Sequence, residues 1–278
     1  MSCPEESVLS QQHKEYNRML ARYVCQSLKQ ENVGLTDEET VYQILINGAD
    51  DEDQTLDYRD TVGFIEAYQY LRKLASDVLE IGLLENNIIC EVHKILMGHR
   101  SHLCTVGRYS RKERMTEFEG KIHYYTRFCD IDQTMQLLID EFNRRLDKIH
   151  RRSLRTIDWL EPFESLIHLT SWFIYKFLEI HPFGDGNGRM VRLLYTYIME
   201  AFGIPFPTPI LWYTKEEIQT KDGHKEYTTW CKLISNIRLT LDFKELELDM
   251  LRALGECCKE CTRYSFCKHL LNPKNNKK

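Results

Sequence analysis

The sequence contains no apolar run close to the roughly 18 residues that a membrane-spanning helix requires. Its first residues, Met1–Glu6, do not have the basic and apolar regions of a signal peptide. Internal repeats and low-complexity linkers are also absent. These absences predict a soluble protein of the cytoplasm or nucleus, with one or two domains in 278 residues.

The sequence also lacks an excess of positive charge. The net charge is −5 and the isoelectric point is near 6.1, so no global attraction to nucleic acid or to an anionic membrane is expected. Ten cysteines without a secretory signal predict reduced thiols. A cluster near the C-terminus leaves a zinc site open as an alternative, although no second Cys-x-x-Cys accompanies it. Its members are Cys257, Cys258, Cys261, Cys267 and His269.

Polar and glycine residues are concentrated at one point, residues 181–189, between two apolar helical runs. Apolar residues at helical spacing predict a buried helix over 158–180, with Asp158 as its N-cap. Pro182 ends that helix. A second helix is predicted over 186–201. The segment between them is therefore a loop held between two core helices.

Three glycines in this loop, Gly184, Gly186 and Gly188, allow a close approach of the backbone to a ligand. The following helix N-terminus offers free N–H groups and the positive end of a dipole. Arg189 and Arg192 lie one turn apart on one face of that helix. Two guanidinium groups beside such a nest suit a polyphosphate. A Walker-type loop is excluded, since no Gly-Lys-Ser/Thr ending is present.

An acid and a base complete the loop. Asp185 lies among basic groups and would need a cation, and magnesium commonly accompanies phosphates. His181 is placed to take a proton from an incoming hydroxyl. Together these residues predict nucleotide-dependent transfer of a group to a hydroxyl. The alternative is a simple turn with a structural histidine, which the coincidence of base, acid, nest and arginines disfavours.

The run His-Pro-Phe-Gly-Asp-Gly-Asn-Gly-Arg-Met-Val-Arg at 181–192 resembles the signature of Fic-domain proteins. That signature is His-x-Phe-x-Asp/Glu-Gly-Asn-Gly-Arg-x-x-Arg, and every specified position matches. Most members of the family move AMP from ATP onto a Ser, Thr or Tyr hydroxyl of another protein. The expected fold is an all-α bundle with one small β-hairpin flap beside the active-site loop.

The resemblance assigns roles to individual residues. It implies Phe183 as a core anchor beneath the loop and magnesium on Asp185. The implied catalytic residues are His181, Asp185, Asn187, Arg189 and Arg192. Gly186, Asn187 and Gly188 would surround the α- and β-phosphates of ATP, Arg189 and Arg192 would bind the outer phosphates, and Tyr227 would pack near the adenine. A kinase-like branch of the family has Lys in place of Gly188, so AMP transfer is favoured over phosphate transfer.

The first predicted helix, residues 5–32, carries Ser27 and Glu31 on its apolar stripe. A Glu directed into the protein needs a cation or a donor there, unless the helix end emerges into solvent. Ser27-Leu-Lys-Gln-Glu31-Asn32 is similar to the Fic inhibitory motif, Ser/Thr-x-x-x-Glu-Gly/Asn. The resemblance implies that Glu31 pairs with Arg192 in the place of the ATP γ-phosphate and inhibits the enzyme. Removal of AMP by the same site stays open.

Two short strands are predicted around Gly120, over 107–111 and 118–125. Fic proteins carry a hairpin flap here that pairs with the backbone of the target. Ser110 replaces an Arg of the usual family pattern, which leaves the target preference open, and an ordinary surface hairpin is the alternative. The flap residues are Phe118, Glu119, Gly120, Lys121, Ile122 and His123.

The rest of the chain is predicted to be helical. A capping box at Thr36 and Glu39 begins a helix that ends near Gly48. The further helices are expected over 56–81, 84–97, 131–146, followed by a basic turn at 148–155, and 242–268. A second candidate for the inhibitory motif around Thr61 is rejected because its spacing is one residue too long. The predicted organisation is an N-terminal region 1–83, a Fic core 84–240 and a C-terminal part 241–278.

Two other functions were weighed against AMP transfer. A nucleotide-gated interaction module without turnover would not need the base or the acid, so His181 and Asp185 disfavour it. A Fic enzyme that transfers another nucleotide or phosphate uses the same loop. The expected partner is a protein that presents a hydroxyl side chain, with no nucleic acid and no membrane, and a homodimer is an open alternative.

Overall fold

The computed structural model describes residues 4–50, 55–77, 83–102, 104–156, 158–214, 217 and 223–261. Within this part the chain is an all-α bundle with one small antiparallel hairpin, which confirms the predicted fold class. The helices are α1 Pro4–Lys29, α2 Glu38–Asn47, α3 Leu56–Asp77, α4 Asn86–Met97, α5 Ile131–Ser153, α6 Leu160–Ile180, α7 Asn187–Ala201, α8 Gly223–Thr240 and α9 Lys244–Cys261. The strands are β1 Met115–Phe118 and β2 Lys121–Tyr124.

Helices α6 and α7 form the centre of the bundle. Buried side chains occur all around α7, from Asn187 to Met199, which is the pattern of a helix enclosed on every side. Helices α1, α3 and α6 contact α7, and α5 covers the other face of α6. The loop between α6 and α7 is therefore held at the middle of the molecule by the most buried elements of the fold.

Helix α1 lies against this centre through its C-terminal half. The Tyr23 hydroxyl donates to the carbonyl oxygen of Arg192 on α7, at 3.2 Å. The buried amide of Gln26 makes two hydrogen bonds with the backbone of Tyr213, at 2.6 and 2.7 Å. The chain then leaves the helix through Asn32, whose φ of 51° is left-handed, a conformation that Asn tolerates better than most residues. The end of α1 is thus fixed beside α7.

A buried polar network joins α1, α3 and α7. The Tyr68 hydroxyl donates to Glu200 Oε1 at 2.5 Å, and the hydroxyls of Tyr16 and Tyr68 are hydrogen-bonded to each other. Burial raises the pKa of Glu200 to about 7, more than the Tyr68 hydrogen bond and the nearby Arg72 charge lower it. This carboxyl group therefore titrates near neutral pH.

The hairpin begins later than the sequence predicted. Strand β1 pairs with β2 from Met115 opposite Tyr124, and the two-residue turn is Glu119–Gly120, with φ of 50° and 74°. Such a turn matches the twist of the flanking strands. The strand expected over 107–111 was wrong, because this segment packs on the central loop: Ser110 N donates to the carbonyl oxygen of Pro182 at 2.8 Å.

Two predicted N-caps differ from those in the structure. Helix α2 is capped by Asp37 and not by Thr36, because the Asp37 carboxylate accepts from Thr40 N at 2.9 Å. Helix α6 begins at Leu160, two residues after Asp158, so Asp158 is not its N-cap. The Asp158 carboxylate still accepts from Leu160 N, at 2.9 Å, and closes the turn that leads into the helix.

Helix α5 is longer than predicted and ends at Ser153. The buried side chains of Leu146, Ile149 and Ser153 continue its inner stripe, so most of the expected basic turn at 148–155 is helical. At the other end of the chain, residues 262–268 of the last predicted helix lie outside the described residues. None of the helices described is both long and apolar enough to cross a bilayer.

Candidate active site

The residue at the junction of α6 and the loop is His181. Its φ of 53° is left-handed, and its N–H donates to the carbonyl oxygen of Phe177 at 2.8 Å, which closes the end of α6. At the other end of the loop, Gly186 is also left-handed, with φ of 79°, and α7 begins at the next residue. A side chain at Gly186 would meet Met97 Sδ at 2.9 Å, so glycine is required for space as well as for φ.

Phe183 and Asn187 fix the loop between these ends. The Phe183 ring is fully buried and stacks on His93, with ring centroids 3.7 Å apart and planes 4° apart. The Asn187 amide accepts from Phe183 N at 3.0 Å and donates to Phe183 O at 2.9 Å. Both hydrogen bonds of the Asn187 side chain are thus made within the loop, and they fix its conformation.

His93 on α4 also holds the loop, a role that the sequence did not predict. Gly107 N donates to its Nδ1 at 2.9 Å, so Nε2 carries the proton and donates to the carbonyl oxygen of Asp185, at 3.1 Å. Burial lowers the pKa of His93 to about 4, which keeps the ring neutral. A single His on the inner face of an amphipathic helix gave no signal of this role.

The His181 ring faces the hairpin. Tyr125, directly after β2, stacks on it with centroids 4.0 Å apart and planes 12° apart. Burial, and then the positive charge of Arg114, lower the pKa of His181 to about 4. The Arg114 guanidinium also donates to the carbonyl oxygen of Phe183, at 2.8 Å. At physiological pH the imidazole is therefore neutral, which is the state that a general base requires.

Arg189, the first arginine of the motif, is buried in an ion network. Its Nη1 donates to Asp60 at 3.0 Å, and its Nη2 lies 3.3 Å from Asp185 Oδ2. Asp60 is fully buried on α3 and also accepts from Arg100 Nε and His99 Nε2, each at 2.7 Å. Burial alone would raise the pKa of Asp60, but hydrogen bonds from His99 and Arg100 outweigh it and lower the pKa to about 2.

Arg192, the second arginine of the motif, is fully buried against α1. Its Nη1 donates to Glu31 Oε1 at 2.7 Å, and its Nε donates to Gln30 Oε1 at 2.8 Å. The Trp230 ring covers its face, with the centroid 5.6 Å from the guanidinium carbon. Its Nη2 has no hydrogen-bond partner within the described part of the chain. The Glu31–Arg192 pair that the resemblance implied is thus in contact.

The Glu31 carboxylate also lies over the first turn of α7. A Cβ added at Gly188 would come within 2.0 Å of Glu31 Oε1. An anion is therefore seated between the helix N-terminus and Arg192, where the positive end of the dipole and the guanidinium both favour negative charge. Ser27, the first residue of the predicted inhibitory motif, is fully buried one turn earlier on α1. The residues present fit a phosphate group in place of the carboxylate.

A cavity of about 450 Å³ opens in front of these groups. It is bounded by the hairpin on one side and by α8 on the other, and a volume of this size accepts a small ligand. Its lining includes His181, Gly188, Glu31, Tyr125, Trp230 and the flap residues Phe118, Glu119, Lys121, Ile122 and His123. At the turn of the hairpin, Glu119 lies 3.6 Å from Lys232 on α8, so the flap and α8 meet across the cavity.

The predicted metal ligand, Asp185, has a side chain that is 43% exposed. One of its oxygens accepts from Gly186 N at 2.6 Å. The described residues include no group of three or more His, Cys, Asp and Glu that could hold a metal ion. A magnesium ion on Asp185 would therefore take its other oxygens from phosphate and water, as magnesium usually does.

Three other predicted site residues cannot be placed. Cys267 and His269 lie outside the described residues, as does the side chain of Tyr227. Of the other members of the C-terminal cysteine cluster, Cys257 and Cys261 are buried on α9, and burial raises the pKa of the Cys257 thiol. Protonated, buried thiols of this kind agree with the predicted reduced state.

Residues 83–199 match the family model described as Fic/DOC family. This part of the chain is a Fic domain. The Fic motif, His181 to Arg192, lies at the end of that match. The N-terminal helices that carry Glu31 and Asp60 lie before it.

Curated relatives agree with a Fic domain. The chain is 29% identical over 172 residues to "Protein adenylyltransferase Fic" of Nematostella vectensis, which covers 62% of this chain and 33% of that protein. It is 26% identical over 200 residues to "Protein adenylyltransferase Fic" of Drosophila erecta, which covers 70% of this chain and 34% of that protein. The chain thus spans about a third of the length of these two relatives.

A solved structure shows the same fold. The crystal structure of a Fic family protein from Desulfovibrio desulfuricans G20 matches with a TM-score of 0.62 at 19% identity, covering 93% of this chain and 69% of that chain. A second match is Fic-1 of C. elegans, residues 134–508, with a TM-score of 0.53 at 18% identity. The second match covers 86% of this chain and 63% of that chain, so both matches extend well beyond residues 83–199.

Proposed function

We propose that this Fic domain transfers AMP from ATP to a hydroxyl side chain of a protein substrate. The main support for the proposal is that a neutral His181 lies beside an anion-binding site, which is formed by the α7 N-terminus and Arg192. Transfer of a phosphoryl group to a hydroxyl needs a base and a phosphate-binding site close together, and this cavity contains both. The adenylyltransferase names of the curated relatives support AMP as the group transferred.

In the proposed reaction the substrate hydroxyl attacks the α-phosphorus of ATP. The bond between the α-phosphorus and the oxygen bridging to the β-phosphate breaks, and pyrophosphate leaves with that electron pair. His181 takes the hydroxyl proton. The α7 N-terminus, at Asn187 and Gly188, faces the negative charge of the phosphates. Magnesium on Asp185 would neutralise part of the phosphate charge.

In the proposed resting state, Glu31 inhibits the transfer. Its carboxylate occupies Arg192 Nη1 and the space over Gly188, so an outer phosphate of ATP cannot reach either of them. The side chain of Glu31 is 25% exposed, whereas Arg192 is fully buried. Glu31 is therefore the partner that can move away, and Arg192 becomes accessible when it does.

The proposal predicts a specific pattern of labelling. Wild-type, Glu31→Gly and His181→Ala proteins are incubated with α-labelled ATP and magnesium, and the label on protein is measured. Glu31→Gly should label at least tenfold more than wild type, because Arg192 is freed, and His181→Ala should not label. Equal labelling of wild type and Glu31→Gly would contradict the inhibitory role, and labelling of His181→Ala would contradict the role of the base.

Removal of AMP is a second candidate activity. Glu31 and His181 line the same cavity, so a carboxylate that orients water and an imidazole that passes the water proton to the departing side-chain oxygen would both face a modified side chain. The water oxygen would bond to the phosphorus, the bond from phosphorus to the side-chain oxygen would break, and AMP would leave. Incubating an AMP-modified substrate with wild type and with Glu31→Gln tests it. Release of AMP by wild type alone would support this activity, and no release by either would exclude it for that substrate.

A further inference from the structure

Arg192 is held by two neighbouring residues of different chemistry. Glu31 accepts from Nη1 at 2.7 Å and Gln30 accepts from Nε at 2.8 Å. The inhibitory motif specifies Glu31 and leaves the preceding position open. Gln30 is nevertheless fully buried, and its Nε2 has no hydrogen-bond partner among the described residues. Its acceptor contact with Arg192 is thus the interaction that accounts for a polar side chain at this buried position.

We propose that Gln30 is a positioning residue for the nucleotide reaction: it holds the Nε edge of Arg192 so that Nη1 and Nη2 face the outer phosphates of ATP. This inference rests on the proposed function. A guanidinium group is planar, so fixing one edge fixes the direction of the other two. The Trp230 ring on one face of the group prevents rotation out of that plane.

Glu31 and Gln30 have opposite effects on phosphate binding at Arg192. Glu31 is charged and takes the Nη1 position that a phosphate would take. Gln30 is neutral and binds an edge that the phosphate does not need, so it leaves the positive charge of Arg192 available. Removing Glu31 should therefore expose the phosphate site, whereas removing Gln30 should weaken it.

Gln30 can stay in place while Glu31 moves. The helix end before it is fixed to the rest of the bundle by Tyr23, which donates to Arg192 O, and by the paired hydrogen bonds of Gln26 with Tyr213. Both residues directly follow α1, which ends at Lys29, but Gln30 is fully buried whereas the Glu31 side chain is 25% exposed. A change of side-chain conformation at Glu31 frees Arg192 without displacing α1.

The test measures binding, so that it is independent of AMP transfer. Calorimetric titrations compare ATP and AMP on Glu31→Gly and on Glu31→Gly/Gln30→Met. Met has a similar shape and no acceptor oxygen. The affinity for ATP should fall about tenfold in the double variant, because a buried charged donor loses its partner. The affinity for AMP, which lacks the outer phosphates, should not change.

Gln26 provides a matched control, because it is also a fully buried glutamine of α1 and contacts Tyr213 instead of the motif. Glu31→Gly/Gln26→Met should keep the ATP-to-AMP affinity ratio of Glu31→Gly. An equal loss for both nucleotides in the Gln30 variant, no loss at all, or the same change of ratio in the Gln26 variant would overturn the inference. So would a Gln30→Met protein with Glu31 intact that binds ATP more tightly than wild type, since Gln30 would then be inhibitory.

Discussion

At the scale of single residues, His181 departs from the ordinary both in its backbone conformation and in its pKa. His181 has a left-handed backbone, the Tyr125 ring stacks on its side chain, and the positive charge of Arg114 lies nearby. Keeping a non-glycine residue at positive φ costs free energy, and the surrounding loop contacts maintain it. This backbone turns the imidazole from the end of α6 toward the cavity.

The low pKa of His181 leads to a direct prediction. Since burial and Arg114 lower the pKa to about 4, the ring should stay neutral from pH 7.5 down to about pH 5. The imidazole signals can be followed by NMR and assigned by their loss in His181→Ala. A midpoint near the ordinary value of about 6.5 would mean that the ring is solvated and is not held as described.

At the scale of elements, α3 contributes to the motif from outside the matched Fic segment. Asp60 lies 129 residues from Arg189 in sequence and yet is its buried counter-ion. Asp57, one turn earlier, instead accepts from the backbone N–H of Gly34 at 3.1 Å. The same helix therefore supports both Arg189, the first arginine of the motif, and the loop that follows Glu31.

Asp60→Asn should destabilise the protein strongly. It would remove the buried counter-charge that Arg100 and Arg189 share, a kind of loss that typically costs about 3–5 kcal/mol. Urea unfolding measures the change in the free energy of unfolding. Asp57→Asn, on the exposed side of the same helix, should cost less than about 1.5 kcal/mol. Similar losses for the two variants would show that Asp60 is not the buried centre of an ion network.

An element of this structure could be predicted from the sequence when the residues that define it are neighbours in the chain. The α6–loop–α7 unit could be predicted because its apolar periods, Pro182 and the glycines are all adjacent in the chain. The contact of Glu31 with Arg192 was implied by a known motif and not by spacing. His93, Gln30 and Asp60 could not be predicted, because their partners are brought near only when separate helices pack.

The hairpin was predicted only in part from the sequence. Alternation and Gly120 indicated a turn, and the structure has that turn at Glu119–Gly120. The position of the first strand was wrong because residues 107–111 form their contacts with the central loop, through Ser110 and Pro182. Local sequence patterns do not distinguish a segment that pairs with a strand from one that lies against a loop.

At the scale of the whole molecule, the Tyr16–Tyr68–Glu200 network joins α1, and through α3 the whole N-terminal part, to α7, the helix of the Fic motif. Glu200 has a pKa of about 7 in the folded protein and an ordinary value of 4.5. The folded state therefore binds its proton more tightly than the unfolded state does. The contribution of this group to stability is present below about pH 4.5 and is lost as the pH rises through 7.

A comparison of wild type with Glu200→Gln measures this contribution. Gln keeps an acceptor for Tyr68 and does not ionise. The free energy of unfolding of wild type, relative to that of Glu200→Gln, should fall by about 3 kcal/mol between pH 4.5 and pH 8. Other titrating groups, including His93 and His181, are common to both proteins and cancel. A difference independent of pH would mean that Glu200 is charged throughout.

The proposed reaction of this Fic domain is transfer of AMP, and not of phosphate, with His181 as the base. The most direct measurement incubates Glu31→Gly with magnesium and either α-labelled or γ-labelled ATP, and compares the label retained on protein. We expect label from the α-position alone, and none from either position when His181→Ala is added to Glu31→Gly. Retention of the γ-label would contradict AMP transfer, because the terminal phosphate leaves with pyrophosphate in the proposed reaction.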